Sequence, residues 1–460
     1  MADAAVRKQR PYLFYGQTQS LCSQCLAVVP AKIIFQDGCV YYLKRCSAHG
    51  TEKVKVSSDI EYYKKCRDYL KPGDLPHRFQ TRINRGCPHD CGLCPDHEQH
   101  SCLAIFDIID ECNLRCPICY ADSAPGRGRA CTLTDVDAML ETLLESELEP
   151  DLVQVSGGEP TLHPEIGTIL RRIHASPVRH LMLNTNGVRL ANDPEFVDEL
   201  AALGRGFEVY LQFDSLAAPA LKTLRGIDAR SVRERALENL EARGISTTLV
   251  CTVARGVNDQ EIDQLVQHAL TWRCVRGVTF QPVQQAGRTE DFSPADRFLL
   301  SDIRRALTQG ENPFTAQDLL PLPCHPENIC IGYGLRQTDQ PERLVPVSGM
   351  LTREALLESA GNNITFETNP ELKAAFLNAF SLDALGDQAE DRLQELLCCL
   401  PRVEAPGLGY GDVFRVVIMS FLDAHDFCIS SVKRACVHFV TPDGKIYPFD
   451  TYNLFYRDQR

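Results

Sequence analysis

Between residues 102 and 310, short apolar runs alternate six times with segments of helical period. No other feature narrows the possible folds as much. Leu103–Ile109, Leu152–Val155, His180–Asn184, Glu208–Phe213, Thr247–Val253 and Gly277–Val283 read as strands covered on both faces. Helices are predicted from Thr134 to about Glu147, then over Glu165–His174, Pro194–Leu203, Val232–Arg243, Glu261–Trp272 and Asp296–Leu307. Thr134 reads as the first N-cap, with Asp137 three residues on. Parallel strands joined by helical crossovers place a ligand site at the strands' carboxyl ends. Several α/β folds share this alternation, so the residues at those ends decide between them.

The first strand runs into Glu111-Cys112-Asn-Leu-Arg-Cys116-Pro-Ile-Cys119-Tyr120. Three thiolates in this C-x3-C-x2-C spacing can hold three irons of a cubane and leave the fourth open. An amine and a carboxylate on one small molecule, as in the methionine end of S-adenosylmethionine, can chelate an open iron. A structural zinc knuckle or buried core cysteines would be the plainer reading. The second strand ends in Ser156-Gly157-Gly158-Glu159-Pro160, and the third in Asn184-Thr-Asn186-Gly187.

The flanks are rich in cysteine. Of 21 cysteines, five precede residue 70, eight lie between 87 and 131, and six follow from 324. Cys251 and Cys274 stand alone and read as core. In residues 1–80, Cys22-x2-Cys25 and Cys46-x2-His49 bracket two strand-like runs. They predict a zinc-ribbon or rubredoxin-like module holding one zinc or mononuclear iron, with His49 or Cys39 as fourth ligand. Residues 81–101 carry a second C-x3-C-x2-C at Cys87, Cys91 and Cys94, with Cys102 or His97 as a further ligand, enough for an auxiliary cluster. Residues 311–460 predict an α+β segment with ligands for a third cluster at Cys324, Cys330, Cys436 and Cys428. Val413–Phe421 reads as a buried strand and Pro442–Lys445 as a hairpin turn. Helices are expected near Glu371–Phe380 and Asp391–Leu397, with Cys398 and Cys399 as core.

A net charge of −13 argues against a general nucleic-acid binder. The polar start Met1-Ala-Asp-Ala-Ala-Val-Arg-Lys-Gln-Arg is not an export signal, and no apolar run spans a membrane. A reducing cytoplasm is therefore expected, where cysteine clusters ligate metals more often than they form disulfides.

With Cys112, Cys116, Cys119, Gly157-Gly-Glu-Pro160 and six βα units, residues 102–310 resemble the radical S-adenosylmethionine (SAM) superfamily. The resemblance implies a partial (β/α)6 barrel in which a [4Fe–4S] cluster reductively cleaves S-adenosylmethionine to methionine and a 5′-deoxyadenosyl radical. It implies a one-electron donor such as ferredoxin or flavodoxin. It puts Gly157, Gly158 and Glu159 near the methionine amino group, and Asn184, Asn186, Gln212, Asp214 and Ser215 near ribose and carboxylate. Adenine would lie near Ile118, Val253 and Gln281, with Tyr120 available for stacking.

The flanking motifs, with Cys436-Val-His438-Phe and Pro448-Phe-Asp-Thr-Tyr-Asn453, are similar to the branch containing archaeal tetraether synthase and class D radical methylase-like proteins. That branch implies one or two auxiliary [4Fe–4S] clusters. It also implies either coupling of sp3 carbons between lipid tails, with peripheral membrane contact, or methylation of a pterin-like small molecule. A non-catalytic iron–sulfur or zinc-ribbon interaction protein is the reading from another class.

Overall fold

The computed structural model describes residues 10–147, 150–290, 293–336, 343–350 and 413–457, with Arg353 and Leu357. The helices expected near 371–380 and 391–397, and Cys398 and Cys399, lie outside the described residues.

The chain opens with an antiparallel meander of β1 (Leu13–Leu21), β2 (Val28–Gln36), β3 (Cys39–Cys46) and β4 (Gly50–Ser57). Asp37 and Gly38 join β2 to β3 with φ of 50° and 75°, the doubly left-handed turn whose twist matches a hairpin. Helix α1 (Ile60–Asp68) follows, capped by the Asp59 carboxylate, which accepts from the Tyr62 amide. The Lys44 side chain is 2% exposed and anchors this module. Its Nζ donates to the carbonyls of Leu21, Ala424 and His425 and pairs with Glu52 at 3.0 Å. Around it Leu21, Ile33 and Tyr42 pack against Leu422, Phe427 and Ile429.

The core sheet is built on β5 (Leu103–Asp107), β6 (Leu152–Ser156), β7 (His180–Thr185), β8 (Phe207–Gln212), β9 (Thr247–Val253) and β10 (Val275–Pro282). They lie side by side in chain order, all parallel. Helices α2 (Leu133–Ser146), α3 (Ile166–His174), α4 (Arg230–Ala242) and α5 (Ile262–Leu270) are among the crossovers. The cap of α2 is Thr132 in a reciprocal box with Asp135, two residues before the expected pair. Thr132 wins because its hydroxyl and the Asp135 carboxylate each satisfy a free amide of the first turn. In β5, Ala104 and Phe106 meet the helices, whereas Leu103 and Ile105 face the inner side. This two-residue alternation produces two separate cores.

Residues after 311, read from sequence as a segment of their own, supply strands to both edges of this sheet. Strand β12 (Val413–Met419) pairs parallel with β10, and antiparallel β11 (Ile329–Arg336) lies outside it. At the other edge β13 (Val437–Thr441) pairs parallel with β5 and forms a hairpin with β14 (Lys445–Pro448). The result is a mixed α/β fold with a curled half-barrel sheet and an N-terminal ribbon. Among the described residues no helix is long and apolar enough to cross a membrane.

Candidate functional site

A cavity opens at the carboxyl ends of β5–β10. Cys112, Cys116 and Cys119 form one wall, with Gly157, Gly158, Asn184, Asn186 and Gln212 around it. The cysteine loop is held by backbone contacts. Gly158 N–H donates to Ile109 O at 2.6 Å and Glu159 N–H to Glu111 O at 2.9 Å. A Cβ on Gly157 would sit 2.3 Å from Ile109 O, and one on Gly158 2.2 Å from Glu111 O. Both glycines are required because two backbones touch here. From the far side Arg288 clamps the loop, donating to the carbonyls of Cys116 and Ser123 at 2.6 and 2.7 Å and pairing with Asp122 at 2.7 Å.

Glu159 is 1% exposed and fully engaged. It accepts from Thr161 Oγ1 (2.6 Å), Thr185 Oγ1 (2.7 Å) and the amides of Thr161 and Asn186 (3.1 and 2.8 Å). Burial raises its carboxyl despite these donors. Its work is to tie the ends of β6 and β7 together, and Asn186 Nδ2 in turn reaches Asn113 Oδ1 in the cysteine loop at 2.7 Å.

A chain of polar contacts crosses the strand ends. Tyr120 OH lies 3.1 Å from Ser156 Oγ, and Asn184 donates to Ser156 Oγ at 3.0 Å. Gln212 donates to Asn184 at 2.8 Å, and Arg225 to Gln212 at 3.1 Å. Arg225 also grips Asp214 with two donors, at 2.8 and 2.5 Å, and Arg233 adds a third at 2.8 Å. Burial would push the Asp214 carboxyl up, but Arg225 and then Arg233 outweigh it and hold it below the usual range. Asp214 therefore stands beneath the cavity as an anchor for arginines. Ser215, also buried, donates to Glu261 at 2.8 Å. Neither residue lines the cavity.

No sequence motif marks Arg225 or Arg233, and Arg225 stands closer to the chemistry. Burial raises the Cys116 thiol, and Arg225 opposes that rise. Burial takes Cys112 up to about 12. A guanidinium beside the thiols is the cation that thiolates there require. The only hint was Arg225-Gly226, a helix end closed by a glycine at φ 81°. The loop's three thiols face the cavity, and Arg225 supplies compensating charge. This donor set fits three irons of a cubane with one position left for a ligand.

Two groups of ligand atoms elsewhere lie within 4.8 Å of one another among the described residues. The first is Cys22, Cys25, Cys46 and His49, the expected ribbon set with His49 rather than Cys39. The second is Cys102, Cys324 and Cys436. This regroups the sequence expectation. Cys102 stands with Cys324 and Cys436, not with Cys87, Cys91 and Cys94, which line a separate small cavity with Lys433. Cys330 points to the helix side beside Tyr62, because strand alternation turns it away from Ile329 and Ile331. Cys428 packs in the ribbon interface with Thr18 Oγ1 at 3.2 Å. His97 is engaged by the Ala435 carbonyl at 2.9 Å.

Residues 106–269 match a family model described as the Radical SAM superfamily, and residues 14–58 one described as the HMPTM N-terminal zinc ribbon domain. The 7,8-dihydro-6-hydroxymethylpterin dimethyltransferase of Methanocaldococcus jannaschii is 28% identical over 479 aligned positions, covering 96% of this chain and 94% of that protein. The GTP 3′,8-cyclase of Chlorobaculum tepidum is 28% identical over 234 positions, covering 49% of this chain and 68% of that protein. Among solved structures, Streptococcus suis SuiB bound to precursor peptide SuiA aligns over 46% of this chain and 45% of that chain, at 17% identity and a TM-score of 0.39.

Proposed function

We infer that this chain, whose residues 106–269 form a radical SAM domain, is a methyltransferase acting on a carbon of a reduced, pterin-like heterocycle. The supporting observation is the end-to-end similarity to a dihydropterin dimethyltransferase, which spans ribbon, half-barrel and the segment beyond it together.

A four-iron cluster held by Cys112, Cys116 and Cys119 would supply one-electron cleavage of one S-adenosylmethionine, and because that molecule keeps its methyl group on methionine sulfur, the transferred methyl would come from a second S-adenosylmethionine. The chain's own residues prepare that event. Gly157 and Gly158 fix the cysteine loop by close backbone contact, and Arg288 holds its other side. Arg225 offsets thiolate charge. Asn184, Asn186 and Gln212 present amides toward the cavity for carboxylate and ribose oxygens. Beyond them Phe449 stacks on Phe421 at 3.8 Å and on Phe439 at 5.2 Å. That aromatic wall suits a flat ring. Gln284, also at the cavity, has a buried Oε1 with no hydrogen-bond partner, an acceptor for a ring N–H or exocyclic amine. The one-electron donor is proposed to be a ferredoxin or flavodoxin.

The test is anaerobic turnover with methyl-labelled S-adenosylmethionine and 7,8-dihydro-6-hydroxymethylpterin. Label in the pterin product supports the reading; cleavage of S-adenosylmethionine with no label in any pterin overturns it. A second reading, coupling of sp3 carbons in lipid tails, draws on the apolar end of the cavity at Leu103, Ile105, Met419, Phe421 and Val437. It requires unlabelled, carbon–carbon-linked lipid as product.

A further inference from the structure

We propose that Cys102, Cys324, Cys436 and His100 form a closed site for a single divalent ion of the zinc class, at the end of the half-barrel opposite the Cys112–Cys119 loop. The inference does not depend on the reaction proposed above.

Spacing argues for one ion rather than a cluster. All three sulfurs lie within 4.8 Å of one another, and Cys436 Sγ is 3.6 Å from Cys324 Sγ. Zinc–sulfur bonds of about 2.3 Å at tetrahedral angles put neighbouring sulfurs about 3.8 Å apart. Thiolates on separate irons of a cubane stand farther apart, since each carries its own iron. The chain supplies an internal standard in its ribbon, where Cys25 Sγ and Cys46 Sγ are 3.9 Å apart, and His49 Nδ1 is 3.4 Å from Cys22 Sγ and 3.6 Å from Cys46 Sγ. The buried trio repeats the sulfur spacing of that standard.

His100 is the fourth ligand proposed, although, unlike His49 in the ribbon, it does not lie within 4.8 Å of all three sulfurs, and its ring must move to close the set. Its Nε2 lies 3.6 Å from Cys102 Sγ. Bonds of about 2.05 Å to nitrogen and about 2.3 Å to sulfur predict a separation near that value. Its other ring nitrogen, Nδ1, faces Glu147 Oε2 at 3.1 Å, while Glu147 Oε1 accepts the Ser101 amide at 2.9 Å. A carboxylate on the far nitrogen is what orients a metal-ligating imidazole and sets its tautomer. The neighbouring histidines have other partners. His438 Nδ1 meets Ser101 Oγ at 2.8 Å, and His325 Nε2 meets Ser431 Oγ at 2.9 Å.

With His100 drawn in, four protein ligands leave no open position, and the ion is structural. Binding releases three thiol protons to solvent, and His100 stays neutral with its Nδ1–H donated to Glu147. The ion joins three stretches far apart in sequence: the entry to β5, the turn before β11 and the entry to β13. The five residues of β5 separate it from the cysteine loop by about 17 Å.

The test is metal analysis of the anaerobically purified full chain, with X-ray absorption at the zinc edge and spectra after cobalt exchange. Two mononuclear ions per chain, each with three sulfurs and one nitrogen, are expected. Cys324→Ala and Cys436→Ala should each lose one of them and leave the iron count unchanged. His100→Cys should keep the ion and strengthen the cobalt–thiolate charge-transfer band; His100→Ala should weaken binding at least tenfold. If the cysteine variants do not fold, the absorption spectrum and His100→Cys decide on soluble protein. Loss of about four irons with either cysteine, a Cys324–Cys436 disulfide in the intact chain, or a cobalt spectrum unmoved by His100→Cys would each overturn the proposal.

Discussion

Replacing Arg225 by Met tests whether Asp214 is an anchor for arginines. The carboxylate is fully buried and receives two hydrogen bonds from Arg225 and one from Arg233. Opposite charges about 4 Å apart attract by about 4 kcal/mol at an effective dielectric of about 20. Removing one partner of a buried pair typically costs about 3–5 kcal/mol. Arg233 remains, so a loss of about 2–3 kcal/mol is expected at pH 7. The sign of the pH dependence is more diagnostic. In the native protein the folded carboxyl lies below its unfolded value, so its contribution is present above about pH 4 and is lost as pH falls through the folded value. In Arg225→Met, burial is no longer outweighed and the folded value rises. That variant then loses stability as pH rises from about 4, and its gap from the native protein widens toward pH 7. Asp214→Asn alone would leave the buried Arg233 guanidinium without its carboxylate, so recovery of at least half of the loss is expected only when Arg233→Met is added with it. Urea unfolding at pH 5 and 7 measures all three proteins. Parallel stability profiles for native and Arg225→Met, or a variant lacking Arg225, Asp214 and Arg233 together that is no better than Arg225→Met, would refute the reasoning.

Gly158→Ala should displace the cysteine loop, since its Cβ would meet Glu111 O at 2.2 Å. Iron bound per chain and S-adenosylmethionine cleavage should both fall more than tenfold, while the ribbon ion is retained. Lys44→Met should cost about 3 kcal/mol by leaving the carbonyls of Leu21, Ala424 and His425 unpaired, and limited proteolysis should release the ribbon first. Burial raises Asp450 to about 7, so the native protein should lose stability as pH rises from about 4 to 7. Asp450→Asn keeps an acceptor for the Leu422 amide at 2.6 Å and should add about 2–4 kcal/mol at pH 8, read by thermal unfolding.

The half-barrel strands were legible because each is a local event, an apolar run with turn signals on either side. Ribbon strand β1 was not, since Leu13-Phe-Tyr-Gly-Gln-Thr-Gln-Ser-Leu21 mixes polar and apolar residues and is mostly exposed until it reaches the interface. The cysteine loop was readable from spacing alone because its thiols share one turn of chain. Cys102, Cys324 and Cys436 were separable only in space. Sequence proximity drew Cys102 to Cys94, and the sheet carried it to residues more than two hundred positions away. His100 showed no signal at all until Glu147 stood behind it. The family resemblance implies cofactor contacts for the glycines after β6. They also serve the backbone of the cysteine loop, a role that depends on two strands being neighbours.

The edge strands contributed by residues 413–441 have a consequence for biosynthesis. Strands β5 and β10 emerge from the ribosome with unpaired backbone edges, and each finds its outer partner only after far more chain has been made. At about 5–20 residues per second the nascent half-barrel waits several seconds with two open edges. Exposed edges of buried, apolar strands invite pairing with other chains. Chains stopped near residue 310 should therefore accumulate with chaperones or in aggregates, and cluster loading should follow completion of the sheet rather than synthesis of the cysteine loop.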